Sequence, residues 1–320
     1  MLHPIQRPLR FEPFLRPMVW GGRKIGRFLG KNLPTSEAHG ESWEVSDHPL
    51  HASRLVTASG FGLTLRQLME QDRARLLGPA ADRFTFFPWL IKLLDAQDWL
   101  SVQVHPDEEA VKKLWPGESA KTEAWLVLDA SPESRIYAGL KPGIGPVELR
   151  EAVQRDAVAD CLHAFTPKPG DFVFLPAGTV HAVGGGVFIA EIQQTSDATF
   201  RLFDWNRLDT QGKARKLHVD EGFASIHWQQ GAIDPIRATD TRRRLVACPY
   251  FEIDRVTWPA DSAVGGIGRL QALIVTEGQG RFANGEFVMP GDAWILPAAM
   301  PTMALHVEKT LAGLLCTLPG

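Results

Sequence analysis

The chain has 320 residues, with 34 Lys and Arg against 37 Asp and Glu and a formal net charge of −3. That length suits two domains or one large β domain, and the near-neutral balance removes the electrostatic basis for a nucleic-acid or polybasic membrane partner. Gly and Pro, at 29 and 23, are too few for a disordered or collagen-like chain but ample for many turns between short strands.

The first twenty residues mix Arg7, Arg10, Glu12 and Arg16 with four prolines and hold no apolar run of signal-peptide length. Cys161, Cys248 and Cys316 show neither metal-type spacing nor a disulfide framework, so a cytoplasmic location is expected. Thr64, with Gln67 three residues on, reads as a capping box before Leu65, Leu68, Met69 and Leu76, a helix over about 64–78 stopped by Gly78. Leu100 to Pro106 alternates as a strand, with Ser101, Gln103 and His105 on one face and Leu100, Val102 and Val104 on the other. A short helix follows over about 107–115, ended by Pro116-Gly117, and a strand opens at Glu123. Pro146 begins a third helix, expected to run through Leu149, Val153 and Val158 to Leu162. Phe172 to Ala190 is uncharged over nineteen residues, but Pro176, His181 and four glycines make it two short buried strands joined by a turn rather than a membrane span. The polar stretch from Gln229 to Arg244 is the candidate linker.

One internal repeat organises the rest. Pro169-Gly170-Asp171 followed by Phe172 to Ala177 recurs as Pro290-Gly291-Asp292 followed by Ala293 to Ala298, each preceded by a strand-like run, Glu123 to Leu128 and Gln271 to Thr276. Two related β units follow: residues 1–230, carrying the helical insertions, and 245–320. In the first, His105 and His181, the Glu123 carboxylate and the Gln103 amide form a plausible four-ligand N/O site for zinc or another divalent ion. Singly, each has an ordinary explanation, as a hydrogen-bonded histidine or a solvated strand-end group. Their common placement at strand ends of one repeat, where the second copy has Gln271 and Thr302 in place of Glu123 and His181, raises the joint reading and leaves the C-terminal unit expected to be metal-free.

LSVQVHPDEEA, KTEAW, LPAGTVHAVG, IAEIQQTSDATFR (from Ile189) and RKLHVDE resemble the type I mannose-6-phosphate isomerases of the cupin superfamily, as do VWGGRKIG from Val19 and GESWEVSDHP from Gly40. The resemblance runs from about residue 10 to 228, and the C-terminal unit is similar to the second cupin of the short bacterial form. It implies a mostly β fold of two cupin-like, jelly-roll barrels or sandwiches with a few helices inserted in the first half. It implies one Zn2+ per chain on Gln103, His105, Glu123 and His181, and interconversion of mannose 6-phosphate and fructose 6-phosphate through a cis-enediol. Arg201, Lys121 and Glu191 are the implied catalytic residues, and Lys92, Ser101 and Lys121 the implied substrate-binding ones. Arg201 suits developing negative charge and the lysines suit the phosphate. The proton-transfer group is open among Glu191, a lysine of lowered pKa and a zinc-bound water. Where the family pattern leads one to expect an Asn-type residue after Asp197, this chain has Ala198. Two other readings stand beside this one: a cupin metal-dependent oxygenase, disfavoured by Gln103 where such sites carry another histidine, and a non-catalytic sugar-phosphate sensor.

Overall fold

Both Pro-Gly-Asp segments form the same turn. Gly170 and Gly291 take φ of 85° and 86°, a left-handed region open to glycine at no steric cost. In each turn the aspartate carboxylate accepts from the N–H three residues back, Lys168 to Asp171 and Met289 to Asp292, both at 2.9 Å. The glycine N–H in each donates to a valine carbonyl on the preceding strand, Val127 at 2.8 Å and Val275 at 2.9 Å. The strand leaving the turn therefore pairs antiparallel in matching register, Leu175 opposite Glu123 and Leu296 opposite Gln271. Gln271 thus occupies in its own unit the place Glu123 holds in the other.

The structure is a computed structural model and describes residues 4–31, 33, 36–57, 61–208, 212–241 and 243–320. Arg242, part of the expected linker, lies outside them. The strands up to the second repeat are β1 Phe14–Arg16, β2 Glu41–Val45, β3 Asp47–His48, β4 His51–Ala52, β5 Trp89–Ala96, β6 Val102–Val104 and β7 Glu123–Ala130. They continue with β8 Ile136–Leu140, β9 Leu162–Phe165, β10 Phe172–Leu175, β11 His181–Val183, β12 Val187–Gln194 and β13 Phe200–Phe203. The remaining strands are β14 Arg244–Ala247, β15 Glu252–Trp258, β16 Asp261–Val264, β17 Gln271–Phe282, β18 Phe287–Val288, β19 Ala293–Leu296 and β20 Met303–Thr317. The helices are α1 Lys24–Leu29, α2 Leu65–Leu77, α3 Glu108–Leu114, α4 Pro146–Gln154 and α5 Val219–Ser225.

Packing divides the chain into two compact units, one of residues 15–42 and 92–240, the other of 1–14, 43–91 and 241–320. This differs from the contiguous division at 230 and 245 read from the repeat. The helix expected inside the first half, α2, packs with the C-terminal strands, since its Leu76 and Arg75 carbonyls accept from the Ala298 and Ala299 N–H at 3.0 and 2.8 Å.

In the 15–42 and 92–240 unit, a sheet ordered β1-β2-β5-β12-β7-β10 faces a second ordered β13-β6-β11-β8-β9. These are open sheets, so the arrangement is a sandwich rather than a closed barrel. Trp125, Val127, Ile189 and Val173 from the first sheet share a buried cluster with Ile136, Ala138, Phe165 and Val183 from the second. Helices α4 and α5 cover the outer face of the second sheet, burying Leu149, Ala152 and Phe223 against Val102, Val104 and Leu202. The other unit contains the sheet β14-β15-β20-β17-β18, with β16 on β20 and β19 on β17, and a core of Leu273, Val275, Trp294 and Leu305 among others.

The capping box at the start of α2 forms as expected, the Thr64 side chain accepting from the Gln67 N–H at 3.1 Å while Gln67 accepts from the Thr64 N–H at 2.9 Å. The third helix is shorter than expected. It ends at Gln154 because Asp156 adopts a left-handed φ of 56°, and only a single 3-10 turn follows, over Val158–Cys161. The uncharged 172–190 stretch holds β10, β11 and the start of β12 rather than two strands, because Gly178 and Gly186, at φ of 84° each, supply two reversals. Among the described residues no helix is long and apolar enough to cross a membrane, and all three cysteines are free.

Candidate active site

The site is built on β6, β7 and β11 and on the loop between β12 and β13. His181 lies opposite Gln103 where β11 pairs with β6, and Arg201 lies opposite Gln103 from the other side, where β13 pairs with β6. Pro106 ends the alternation of β6, leaving His105 at its tip, and Glu123 opens β7. This brings His105, Glu123 and His181 together, all fully buried, with their ligating atoms within 4.8 Å of one another.

The orientation of the two imidazoles is fixed from behind. His105 Nδ1 lies 2.8 Å from the Ala198 carbonyl, and His181 Nδ1 2.9 Å from the Thr179 carbonyl. A carbonyl only accepts, so each ring carries its proton on Nδ1 and turns the Nε2 lone pair toward Glu123. His105 Nε2 is 3.2 Å from Glu123 Oε1 and His181 Nε2 is 3.7 Å from Oε2, while the Gln103 amide reaches His181 Nε2 at 3.3 Å. Glu123 Oε2 is buried without a hydrogen-bond partner. Backbone-anchored imidazoles with Nε2 lone pairs turned inward and an orphaned carboxylate oxygen suit a divalent cation of the zinc type.

The charges respond to this crowding. Burial and the Lys121 ammonium hold the His105 pKa below its ordinary value, and burial together with His105 lowers His181 to about 3, so both rings are neutral. For Glu123, burial is outweighed by Lys121 and the two histidines, and the carboxyl stays well below its usual range. Lys121 lies just ahead of β7, with Nζ 2.6 Å from Glu123 Oε1 and 3.1 Å from His105 Nε2. Although burial disfavours its ammonium, Glu123 and Glu191 raise its pKa. Lys121 is therefore not the lysine of lowered pKa considered as a proton acceptor. Glu191 on β12 behaves in the opposite way: burial, then repulsion from Glu123, push its carboxyl up to about 8 against the opposing pull of Lys92, whose Nζ is 3.8 Å away.

A cleft opens beside this cluster. Lys92, Ser101, Gln103, Lys121, Glu123, Glu191 and Arg201 all line it, and His105 joins them through Glu123 and Lys121. Every residue singled out from the sequence is thus in one place. The Ala198 departure is accommodated, because position 198 contributes its carbonyl to His105 while its side chain is wholly buried. Sequence reasoning missed Arg16, Glu41 and Arg215, which also line the cleft. Arg16 pairs with Glu41 at 3.1 Å and with Asp197 at 3.5 Å. Glu41 and Arg215 lie inside the GESWEV and RKLHVDE motifs, but β2 gives no alternation that marks Glu41, which shares its face with Trp43 and Val45.

Fold and site together define a β sandwich carrying a buried His-Glu-His cluster with the donor set of a cation site. Residues 9–130 match the family model described as phosphomannose isomerase type I, catalytic domain. The chain is 34% identical to the mannose-6-phosphate isomerase ManA of Bacillus subtilis over 93% of this chain and 96% of that protein. It is also 34% identical to a mannose-6-phosphate isomerase of Streptococcus mutans, over 91% and 92% respectively. The crystal structure of the mannose 6-phosphate isomerase from Bacillus subtilis superposes with a TM-score of 0.87 at 29% identity, covering 98% of this chain and 99% of that one. The chain belongs to the type I mannose-6-phosphate isomerase family, and is accordingly an enzyme, an aldose–ketose isomerase.

Proposed function

We propose that the enzyme interconverts mannose 6-phosphate and fructose 6-phosphate through a cis-enediol, with one zinc ion held by His105, Glu123, His181 and Gln103. The observation carrying this reading is the convergence of two inward-turned Nε2 lone pairs and an orphaned carboxylate oxygen beside the cleft that also contains Glu191, Lys92 and Arg201. A bound zinc ion would supply Lewis-acid stabilisation of negative charge on the sugar oxygens.

The reaction moves a proton between C2 and C1, so a group must take it up and return it while still holding it. Glu191 is the residue we assign to this. A carboxyl poised at about 8 is a far stronger base, once ionised, than an exposed one, and it releases its proton near neutral pH. Lys92 Nζ, 3.8 Å from Glu191 Oε1, orients that carboxyl. Lys121 neutralises Glu123 and holds it beside His105. Arg201, whose buried Nε has no hydrogen-bond partner, faces the cleft as a fixed positive charge for the enediol oxygens.

Because Lys92 and Lys121 are each beside a buried carboxylate, we place the phosphate not on them but further along the cleft, on Arg215 beside Arg201. A dianion keeps part of its hydration there, where the Arg215 side chain is 24% exposed, against 4% and 6% for the lysines. A coupled assay on mannose 6-phosphate, with and without chelator, tests substrate and metal together. Turnover abolished by chelator and restored by zinc is expected, and absence of turnover in the zinc-loaded protein overturns the reading. The oxygenase alternative is separated by bound-metal identity, since it needs redox-active iron.

A further inference from the structure

We propose that Asp204 is a positioning residue for substrate phosphate: it clamps Arg215 so that a guanidinium edge faces the cleft. This rests on the assignment of the phosphate to Arg215 above.

The clamp is a fork. Asp204 Oδ2 accepts from Arg215 Nε at 2.7 Å and Oδ1 accepts from Nη2 at 2.5 Å, the bidentate geometry that fixes a guanidinium plane as well as its distance. With the Nε and Nη2 edge so occupied, Nη1 remains for the cleft that Arg215 lines. The carboxylate doing this is itself immobilised, at 6% exposure, with Arg207 Nη2 3.6 Å from Oδ1.

The turn carrying Asp204 is unusual. Trp205 and Asn206 both take left-handed φ, 57° and 54°, a conformation that costs non-glycine residues energy and persists only where surrounding bonds impose it. Besides the turn bond from Arg207 N–H to the Asp204 carbonyl at 3.1 Å and the Asn206 amide on Asp156 at 3.1 Å, bonds run to the approach to β6. Trp205 Nε1 donates to the Leu100 carbonyl at 2.7 Å, and Arg207 Nη2 donates to the Trp99 carbonyl. The Trp205 ring packs on Trp99 at 4.9 Å between centroids. Chain return is short: Leu208 bridges Ala214, bringing Arg215 back beside Asp204. The strained turn, the indole bond and the carboxylate fork thus form one rigid link from Arg215 to Ser101 and Gln103. The positive charges of Arg201 and Arg215 lie close enough to repel, an arrangement that a bound dianion relieves.

Steady-state kinetics of the zinc-loaded enzyme test this with Asp204→Asn, Asp204→Glu, Arg215→Met and the double variant, with inorganic phosphate as a competitive probe. In Asp204→Asn, KM for mannose 6-phosphate and Ki for phosphate should each rise about tenfold, with kcat falling far less, because an ordered cation is lost from ground and transition states alike. Asp204→Glu should recover part of both. The double variant should be no worse than Arg215→Met, since Asp204 acts only through that arginine. If Arg215→Met leaves KM and Ki unchanged, the phosphate is elsewhere and the underlying assignment fails. If Arg215→Met raises both but Asp204→Asn raises neither, the assignment stands and the positioning role is refuted. A fall in kcat without a change in phosphate Ki in Asp204→Asn also refutes it. Should Asp204→Asn not fold, the phosphate Ki of Asp204→Glu decides: a rise of severalfold that vanishes in the Arg215→Met background supports the clamp, and an unchanged Ki overturns it.

Discussion

Replacing Glu191 by Gln should slow the enzyme and stabilise it at once. The side chain is 3% exposed, its nearest cation is Lys92 Nζ at 3.8 Å, and its pKa is raised from 4.5 to about 8, first by burial and then by Glu123. A carboxyl whose folded pKa exceeds its unfolded value favours the fold below pH 4.5, and this contribution is lost as pH rises through 8. At about 1.4 kcal/mol per unit, the interval from 4.5 to 8 sets a ceiling of about 5 kcal/mol that the neutral amide avoids. That interval already contains the pull of Lys92, so we expect Glu191→Gln to be more stable than the parent by up to about 4 kcal/mol at pH 8.5, and close to it at pH 4.5. Urea midpoints of both proteins in chelator, across that range, read the difference directly. Turnover of the zinc-loaded variant should fall between about 10² and 10⁴-fold, the usual contribution of a positioned acid–base group. A stability difference independent of pH would refute the buried, protonated carboxyl. Turnover within threefold of the parent would remove Glu191 from proton transfer.

Arg201→Ala should lower kcat by about two orders of magnitude with zinc content intact; a loss confined to KM and partly recovered by Arg201→Lys would make it a phosphate anchor instead. His181, lowered to about 3, takes up protons in the unfolded chain first, so its contribution to stability falls from pH 6.5 downward, by about 2 kcal/mol at pH 5. Glu191 produces the opposite slope over the same range, so the effect should emerge in metal-free Glu191→Gln and be masked in the parent; a flat profile in the variant would refute it. Gly139 has φ of 80°, and a Cβ there would lie 1.9 Å from the Gly231 carbonyl oxygen. Gly139→Ala should therefore cost about 3 kcal/mol or more by urea denaturation, and a cost under 1 kcal/mol would show that the 229–240 connection does not pack against β8.

The site was legible because its donors come from short segments whose local rules are strong. Period-two alternation put Ser101 and Gln103 on one face, Pro106 ended the strand at His105, and the Pro-Gly-Asp turn fixed the register of β10 against Glu123. What escaped depends on residues brought together over long separations. The units interleave because β2 and β5 each cross from one to the other, and nothing in a local pattern signals that α2 will dock on Ala298 and Ala299. Arg16 and Arg215 carry no periodicity, and their ion pairs reach Glu41 and Asp204, 25 and 11 residues away. Trp205 contradicts local preference, and the bonds of its turn to Asp156, Trp99 and Leu100 hold that conformation in place. The same applies in reverse to Asp156, which ended a helix whose apolar spacing alone continued to Leu162.

The duplicated turn separates what the fold dictates from what the chemistry requires. Two copies share the glycine φ, the aspartate bond and the valine bridge, and hence the strand register, yet Glu123 and Gln271 at the matched position have different surroundings. Glu123 is crowded by two imidazoles and an ammonium. Gln271 sits opposite Thr317 and donates from Nε2 to its Oγ1 at 3.2 Å, a neutral pair in which the amide is satisfied within the sheet. A carboxylate in that setting would be buried beside a neutral hydroxyl, which is strongly unfavourable. The turn and register therefore build the sandwich, and they confer no reactivity. That comes from the histidines at the tips of β6 and β11, held by the Ala198 and Thr179 carbonyls, where the second copy has Thr302 in the place of His181.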